Sequence, residues 1–509
     1  MLFNKIKSYL NDYFKGSLNN LLFIFHNLFD KDIKNINNYD IESDINKNDI
    51  WIFDSSSKLN KMSIYSAFAY LLSNELQEKK IKFSILVCAS GPGYCQIGAS
   101  PKNPNNLMPC KTCIKANLDI FNQYDKILFN QSNNYIKNRI VYENISTLIE
   151  PSKKWLLRES RNLKVINQTE ENLHQGTEKW INFLNKIDKN NLPKVAVIFN
   201  GYSFPESIIK NYLDNHGVTT FTFESGHLEN SVFISKDHAP EYFFDFNMNE
   251  LDSVNKKKLK NYMLRRTSGD FKRGAVNFWK ELIPISSELK NEFKKFDKVV
   301  TVFMNVPYDT SQTNASKLFE NIYDWLDYLE IFIKNNKNIY FVFRSHPDEL
   351  RPDKKSNFEI SRYLENKGFS NYENVILINS NISINSYELI LNSDLILTYN
   401  STITLEAVYL GINAINSGYA HFCRLDYFKI ADTRDSYKEK INFFLTNNQV
   451  KQNDRDIISN YLYQMIFESS IDLSKNIKHV KKYEYEIYNK KILDKKFVEF
   501  IDKLEHTVR

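Results

Sequence analysis

The chain has 509 residues, too many for one ordinary hydrophobic core, so at least two domains are expected. Its 42% hydrophobic, 14% aromatic and 25% charged residues make a globular composition and exclude a fibrous or disordered chain. A formal charge of +6, from 67 basic and 61 acidic residues, suits an anionic small ligand or an anionic membrane surface. No dense lysine and arginine stripe with interleaved aromatics marks a nucleic-acid partner.

No apolar run reaches the roughly 18 residues that a membrane span needs. The first residues lack the charged, apolar and small-residue pattern of a signal peptide. A cytoplasmic protein is therefore expected. Residues 1–45 read as a helical extension followed by a polar linker. Within it, 21–29 (LLFIFHNLF) is apolar, with Lys5, Lys7 and Lys15 nearby. That stretch either packs on the first domain or lies on the inner membrane surface as an amphipathic helix.

A β-α-β pattern follows. Residues 49–53 (DIWIF) read as a strand, 54–57 as a turn, 63–79 as a helix and 83–88 (FSILVC) as the next strand. Crossover helices between short apolar runs imply a parallel sheet. Residues 115–190 read as mostly helical. The pattern returns with a strand at 194–199, a helix at 205–215 and a strand at 218–223. His216-Gly217 has the form of a helix end, with glycine suited to a left-handed cap. The charged, helical stretch 250–296 holds the domain boundary, which gives a first domain at 46–290 and a second at 291–509. The second series has strands at 298–304, 339–343, 375–379, 395–398 and 414–416, with a helix at about 315–334. The end of the chain, after about 435, reads as helices. One terminal helix returning to brace the first half fits this order. The expectation is an α/β protein of two Rossmann-like domains with a cleft between them.

Two segments carry the chemistry. The strand at 339–343 delivers Arg344, Ser345 and His346 to a loop at Pro347. The strand at 395–398 delivers Asn400, Ser401 and Thr402 to the start of a helix that contains Glu406 and ends at Gly411. In open α/β sheets, ligands bind where strands end. A guanidinium, an imidazole, hydroxyls and a helix start make a phosphate site, and a carboxylate one turn later suits a ribose diol. Each piece also has a plain reading, as a polar turn and as an ordinary helix cap. In the first half, Glu224 ends the strand 218–223 in the sequence Glu224-Ser225-Gly226, facing the expected cleft. It is the candidate base for deprotonating an acceptor hydroxyl, with His227 as its competitor. The turn Asp54-Ser55-Ser56-Ser57 reads as a helix cap or an acceptor contact.

Five cysteines in an intracellular chain favour thiols or metal ligands over disulfides. Cys88, Cys95, Cys110 and Cys113 have the spacing C-x6-C-x14-C-x2-C around a loop rich in glycine and proline. Two readings stand: a structural zinc or iron–sulfur site, and free thiols. Cys423 has no assigned role. The absence of a GxGxxG or P-loop points away from dinucleotides and nucleoside triphosphates.

The order R-x-H-P, then S-D-L-x-L-T-Y-N-S-T-x-x-L-E-A-x-x-L-G over 393–411, resembles the C-terminal halves of bacterial capsule-polysaccharide glycosyltransferases, including Kdo-transferring ones. Two upstream pieces are similar to the same family: Asn305-Val306-Pro307-Tyr308-Asp309 with Trp325, and Asn200-Gly201 through Glu224-Ser225-Gly226. The resemblance covers roughly residues 190–425. It implies a GT-B fold, a nucleotide-activated sugar donor such as a CMP- or UDP-sugar, an oligosaccharide or glycolipid acceptor, and no cofactor for catalysis. By the same resemblance, Arg344, His346, Ser401 and Thr402 with Asn400 would hold donor phosphate, and Glu406 the ribose. A polyol-phosphate transferase of the teichoic-acid type, a nucleotide-sugar epimerase and a catalytically silent assembly partner are the alternatives.

Overall fold

The computed structural model describes residues 49–55, 61–95, 97–99, 108, 110–130, 145–269, 282–309, 315–351, 355–447, 449–481 and 484–509, with two short strands at 272–273 and 276–277. The apolar run 21–29, the 1–45 extension and Ser56-Ser57 lie outside the described residues.

The first domain is built on a seven-stranded sheet. Its parallel members are β1 (Ile50–Phe53), β2 (Phe83–Ala89), β3 (Lys126–Asn130), β4 (Val195–Phe199) and β5 (Thr219–Ser225). Alternation along each strand sorts side chains to two faces. Ile50, Ile52, Ile85, Val87, Val195 and Val197 enter one core, while Trp51, Phe53, Leu86, Ala196 and Ile198 enter the other. The first face is covered by α1 (Ile64–Glu78), whose start is fixed by a capping box between Ser63 and Ser66. α2 (Cys110–Ile120) lies on the same face, its Ile114 packing with Ala89 and Leu128, and the second face is covered by α3 (Ile145–Leu157), α4 (Leu163–Asn185) and α5 (Glu206–Asn215). Gly217 takes the left-handed conformation expected of it, at φ +76°.

Two elements of this domain escape the sequence pattern. β3 falls inside the stretch read as helical. β6 (Ser231–Ser235) joins β5 antiparallel, immediately after the Glu224 loop. Gly226 is required in that turn, since a Cβ there would collide with the hydroxyls of Ser231 and Ser470.

The second domain has a five-stranded, fully parallel sheet in the order β9-β8-β7-β10-β11: β7 (Lys298–Phe303), β8 (Ile339–Arg344), β9 (Val375–Ile378), β10 (Leu395–Thr398) and β11 (Asn413–Asn416). Between the domains runs α6 (Ser253–Thr267), whose Leu259 and Met263 join the second core. Trp325, in α7 (Ile322–Asn335), is fully buried and donates to the Tyr437 hydroxyl at 3.0 Å, so it serves the core. The strand order reverses between β7 and β10, which opens a crevice at their carboxyl ends.

The end of the chain is not all helical. β12 (Ser470–Asp472) adds to β6, and β13 (Ile477–Lys481) pairs with β14 (Glu484–Ile487) as a hairpin. The last helix returns to the first domain: Phe497, Phe500, Ile501, Leu504 and Val508 complete its first core. The chain is thus an α/β protein of two Rossmann-like sheets, GT-B-like in arrangement. Among the described residues, no helix is long and apolar enough to cross a membrane.

Candidate functional site

A cavity of about 220 Å³ lies at the crevice of the second sheet, room for roughly seven waters. Phe303 and Met304 come to it from the end of β7. Arg344, Ser345, His346 and Pro347 come from the end of β8. Ser401, Thr402, Ile403 and Glu406 come from the start of α8 (Ile403–Tyr409). His227 reaches it from the loop between β5 and β6 of the first domain. The two sequence-distant segments therefore meet on one cavity.

Arg344 is 2% exposed. Its Nη1 donates to the Asn379 carbonyl at 2.9 Å, while its Nε and Nη2 have no hydrogen-bond partner. Burial lowers the guanidinium from its ordinary value to about 10, so it stays charged at neutral pH. A buried cation with idle donors is costly unless an anion arrives. The Ser345 hydroxyl beside it is also buried and without a hydrogen-bond partner. The His346 ring caps the following turn: Nδ1 accepts from the Asp348 amide at 3.1 Å. In the neutral ring that places the proton on Nε2, the nitrogen left able to donate.

Two asparagines hold the facing segment. Asn305 grips the backbone of Asn400 on both sides, accepting from its amide at 3.1 Å and donating to its carbonyl. Asn416 Oδ1 accepts from the Ser401 amide at 3.2 Å. Asn400 fixes the loop and is not among the cavity-lining residues. The Ser401 hydroxyl accepts from the Ile403 amide at 3.4 Å, whereas Thr402 stands at the cap position without a side-chain cap bond. The plain capping role thus falls to Ser401, and both Ser401 and Thr402 line the cavity.

Glu406 is 4% exposed, and both of its oxygens are already engaged. Arg266 Nη2 lies 2.8 Å from Oε1, and the Tyr387 hydroxyl donates to Oε2 at 2.7 Å. A ribose hydroxyl would share these oxygens with the protein. Arg266 and Tyr387 had no sequence signal, because neither lies near Glu406 in the chain.

Glu224 sits at the end of β5, half-buried and firmly held. Asn200 Nδ2 donates to Oε2 at 2.7 Å, the Ser225 amide donates to Oε1 at 2.8 Å, and the Tyr65 hydroxyl donates to Oε1. Burial, then the Glu224 charge, pushes the Tyr65 phenol well above its ordinary value, so it remains a donor. Glu224 does not line the cavity; His227, three residues on, does. The His227 ring packs 4.6 Å from Tyr242, whose hydroxyl donates to the Ser225 carbonyl at 2.6 Å. Asp54 is buried at the end of β1.

Glu349 belongs to the turn that His346 caps. It is 0% exposed; Oε1 accepts from the Ile360 amide at 3.0 Å and Oε2 has no hydrogen-bond partner. Burial, with Glu359 and Glu159 adding to it, pushes its carboxyl up to about 8 against the pull of the Ile360 amide. The unfolded chain loses this proton near the ordinary glutamate value, the folded chain only near 8, so stability falls as pH rises through that window. In Glu349→Gln the fall in thermal midpoint between about pH 5 and pH 8 is expected to flatten. An unchanged profile would contradict it.

Cys88, Cys95 and Cys110 pack against the second core of the first domain, and Cys113 follows one turn into α2. Burial raises the Cys88 thiol, and Cys110, Cys95 and Cys113 add to the rise. Among the described residues, no three His, Cys, Asp or Glu side chains stand close enough in this structure to hold one metal ion. Cys423 is buried in the second core.

No protein-family model matches the chain, and no curated protein sequence matches it. Among solved structures it is similar to the beta Kdo 2,7 transferase KpsC of Thermosulfurimonas dismutans, at 13% identity over 62% of this chain and 85% of that one, with a TM-score of 0.31. It is similar to the UDP-GlcNAc 2-epimerase of Neisseria meningitidis, at 11% identity over 82% and 99%, TM-score 0.25. It is also similar to the wall teichoic acid polymerase TagF, at 11% identity over 98% of both chains, TM-score 0.21. At these values none of the likenesses bears on what the site does.

Proposed function

We propose that the protein is a glycosyltransferase that moves a sugar from a nucleotide-activated donor, a CMP- or UDP-sugar, to a surface polysaccharide or glycolipid acceptor. The observation that carries this reading is Arg344: a buried, charged guanidinium with two donors unused, on a cavity it shares with Ser345, His346 and Thr402. That arrangement suits a phosphate dianion or diester. As the glycosidic C–O bond breaks, negative charge grows on the leaving phosphate, and fixed donors aimed there lower the barrier. The acceptor approaches from the first domain. In an inverting course Glu224 takes the acceptor hydroxyl proton as its oxygen attacks the anomeric carbon, with His227 as the competing base. The work takes place in the cytoplasm, at the membrane where such acceptors are carried.

His346→Ala is expected to lower transfer by roughly 10²-fold or more with the fold intact, from the loss of one proton donor at the phosphate. Wild-type turnover in that variant would remove His346 from the mechanism. Calorimetry with UDP, CMP and CDP, followed by a donor screen read by mass spectrometry, tests the whole reading. Binding of none of the three at millimolar concentration would favour a silent assembly partner, and a CDP preference with glycerol transfer would favour a polyol-phosphate transferase.

The four thiols carry a separate, structural proposal. To close on one zinc ion or iron–sulfur cluster they would have to draw together from their present spacing. About one equivalent of metal in protein purified without added metal is the expected result, and less than about a tenth removes the site.

A further inference from the structure

Residues 475–496 are strongly basic, with eight lysines against three carboxylates, a net +5; a second basic stretch, 256–266, has six basic residues and no acidic one. The 475–496 segment forms the β13–β14 hairpin and the approach to α9 (Lys495–Val508). Strand alternation turns Ile477 and Tyr485 inward against the first domain and leaves Lys478, Val480, Glu486 and Tyr488 outside. Lys475, Lys490, Lys491 and Lys495 are exposed around them. Apolar side chains stand out among these lysines: Val480 is 48% exposed, Tyr488 57% and Ile492 55%. Among the described residues of this segment, Lys478 pairs with Glu486 at 3.0 Å and Lys495 with Glu499 at 3.4 Å, and pairs so exposed are weak and screened by salt.

The position of this surface adds a second argument. The Tyr485 amide donates to the Met62 carbonyl at 2.9 Å, and Lys61 pairs with Glu484 at 2.6 Å, so the hairpin is tied to the start of α1. One turn into α1 is Tyr65, which donates to Glu224. On the other side, the Leu473 amide donates to the Asn230 carbonyl at 2.8 Å, in the loop that follows Glu224. The basic surface therefore borders the side of the cleft where Glu224 stands.

We propose that the outer face of the 475–496 segment docks on an anionic lipid bilayer. Lysines gain from the negative surface potential, and aliphatic and aromatic tips set singly among them insert at headgroup depth. A nucleic acid would use the lysines but leave Val480 and Ile492 with nothing to bury. Docking here turns the Glu224 side of the cleft toward the membrane, where a lipid-linked acceptor is held. That last step rests on the transfer reading; the docking does not.

The test is cosedimentation of the full chain with phosphatidylcholine vesicles, with and without phosphatidylglycerol, at low and at high salt. Binding is expected on the anionic vesicles alone and is weakened by salt. In the triple variant Lys478→Gln, Lys490→Gln, Lys491→Gln, partitioning should fall on the order of a hundredfold, about fivefold per lysine. Ile492→Ser should weaken binding even at low salt, with thermal midpoint and nucleotide binding unchanged in both variants. Equal binding to neutral and anionic vesicles, a triple variant that binds like the wild type, or binding to duplex DNA without vesicle binding would each overturn the proposal. Because the readout is vesicle binding, a failed transfer assay leaves it standing, and failed docking leaves transfer to a soluble acceptor standing.

Discussion

Arg344→Met is expected to abolish nucleotide binding and, at the same time, to raise the thermal midpoint of the unliganded chain. The two effects have one cause. In the empty site the guanidinium is buried, charged and bonded through Nη1 alone, and burial alone lowers its pKa. Replacing such a group with an apolar side chain of similar length removes two unmet donors and a buried charge, a gain of about 1–3 kcal/mol. The same donors, offered to a phosphate, make charge-assisted bonds of about 1.5–3 kcal/mol each, so losing both weakens binding on the order of 10²- to 10⁴-fold. Calorimetric titration with the preferred nucleotide and a thermal scan of the apo chain measure the two halves. A variant that loses stability and binding together would make Arg344 a structural residue. Arg344→Lys is expected to recover part of the binding at most, because an ammonium restores the charge without the planar fork.

Glu224→Gln should lower turnover by about 10²- to 10⁴-fold while leaving donor affinity near its wild-type value. The carboxylate is held by Asn200, Tyr65 and the Ser225 amide, which fixes its orientation and keeps all donors directed at it. An amide of the same shape cannot take the acceptor proton, and its NH2 would face a donor on either side. Donor affinity is set at the other domain, by Arg344 and the β10 loop, and should not move. Under this assignment His227→Gln costs less than about tenfold, since the imidazole lines the cavity without taking the proton. Steady-state kinetics on both variants decide between them: a large loss at His227 with Glu224→Gln nearly normal would exchange the two roles.

Most of the parallel strands of both sheets were legible in the sequence, β3 excepted, as were the loops that end them. Residues 50–53, 83–89, 195–199, 298–303 and 395–398 are short, apolar and punctuated, and such signals depend on local periodicity alone. For the same reason Arg344, His346, Ser401 and Thr402 could be placed at strand ends, and a parallel sheet brings strand ends to one edge. The elements that escaped are those whose stability comes from partners. β6 and β12 are ordered by pairing with each other and with β5, and the 477–487 hairpin by packing on α1.

What the sequence by itself determined is the set of local pieces: two α/β series, a basic loop, a hydroxyl-bearing helix start and a lysine-rich tail. The tertiary structure alone decided how their charges are matched. Glu406 meets Arg266 and Tyr387, Glu224 meets Tyr65 and Asn200, and among the described residues Arg344 meets no carboxylate. Whether a buried charge is answered depends on residues brought near by the fold from far along the chain, which no window of sequence contains.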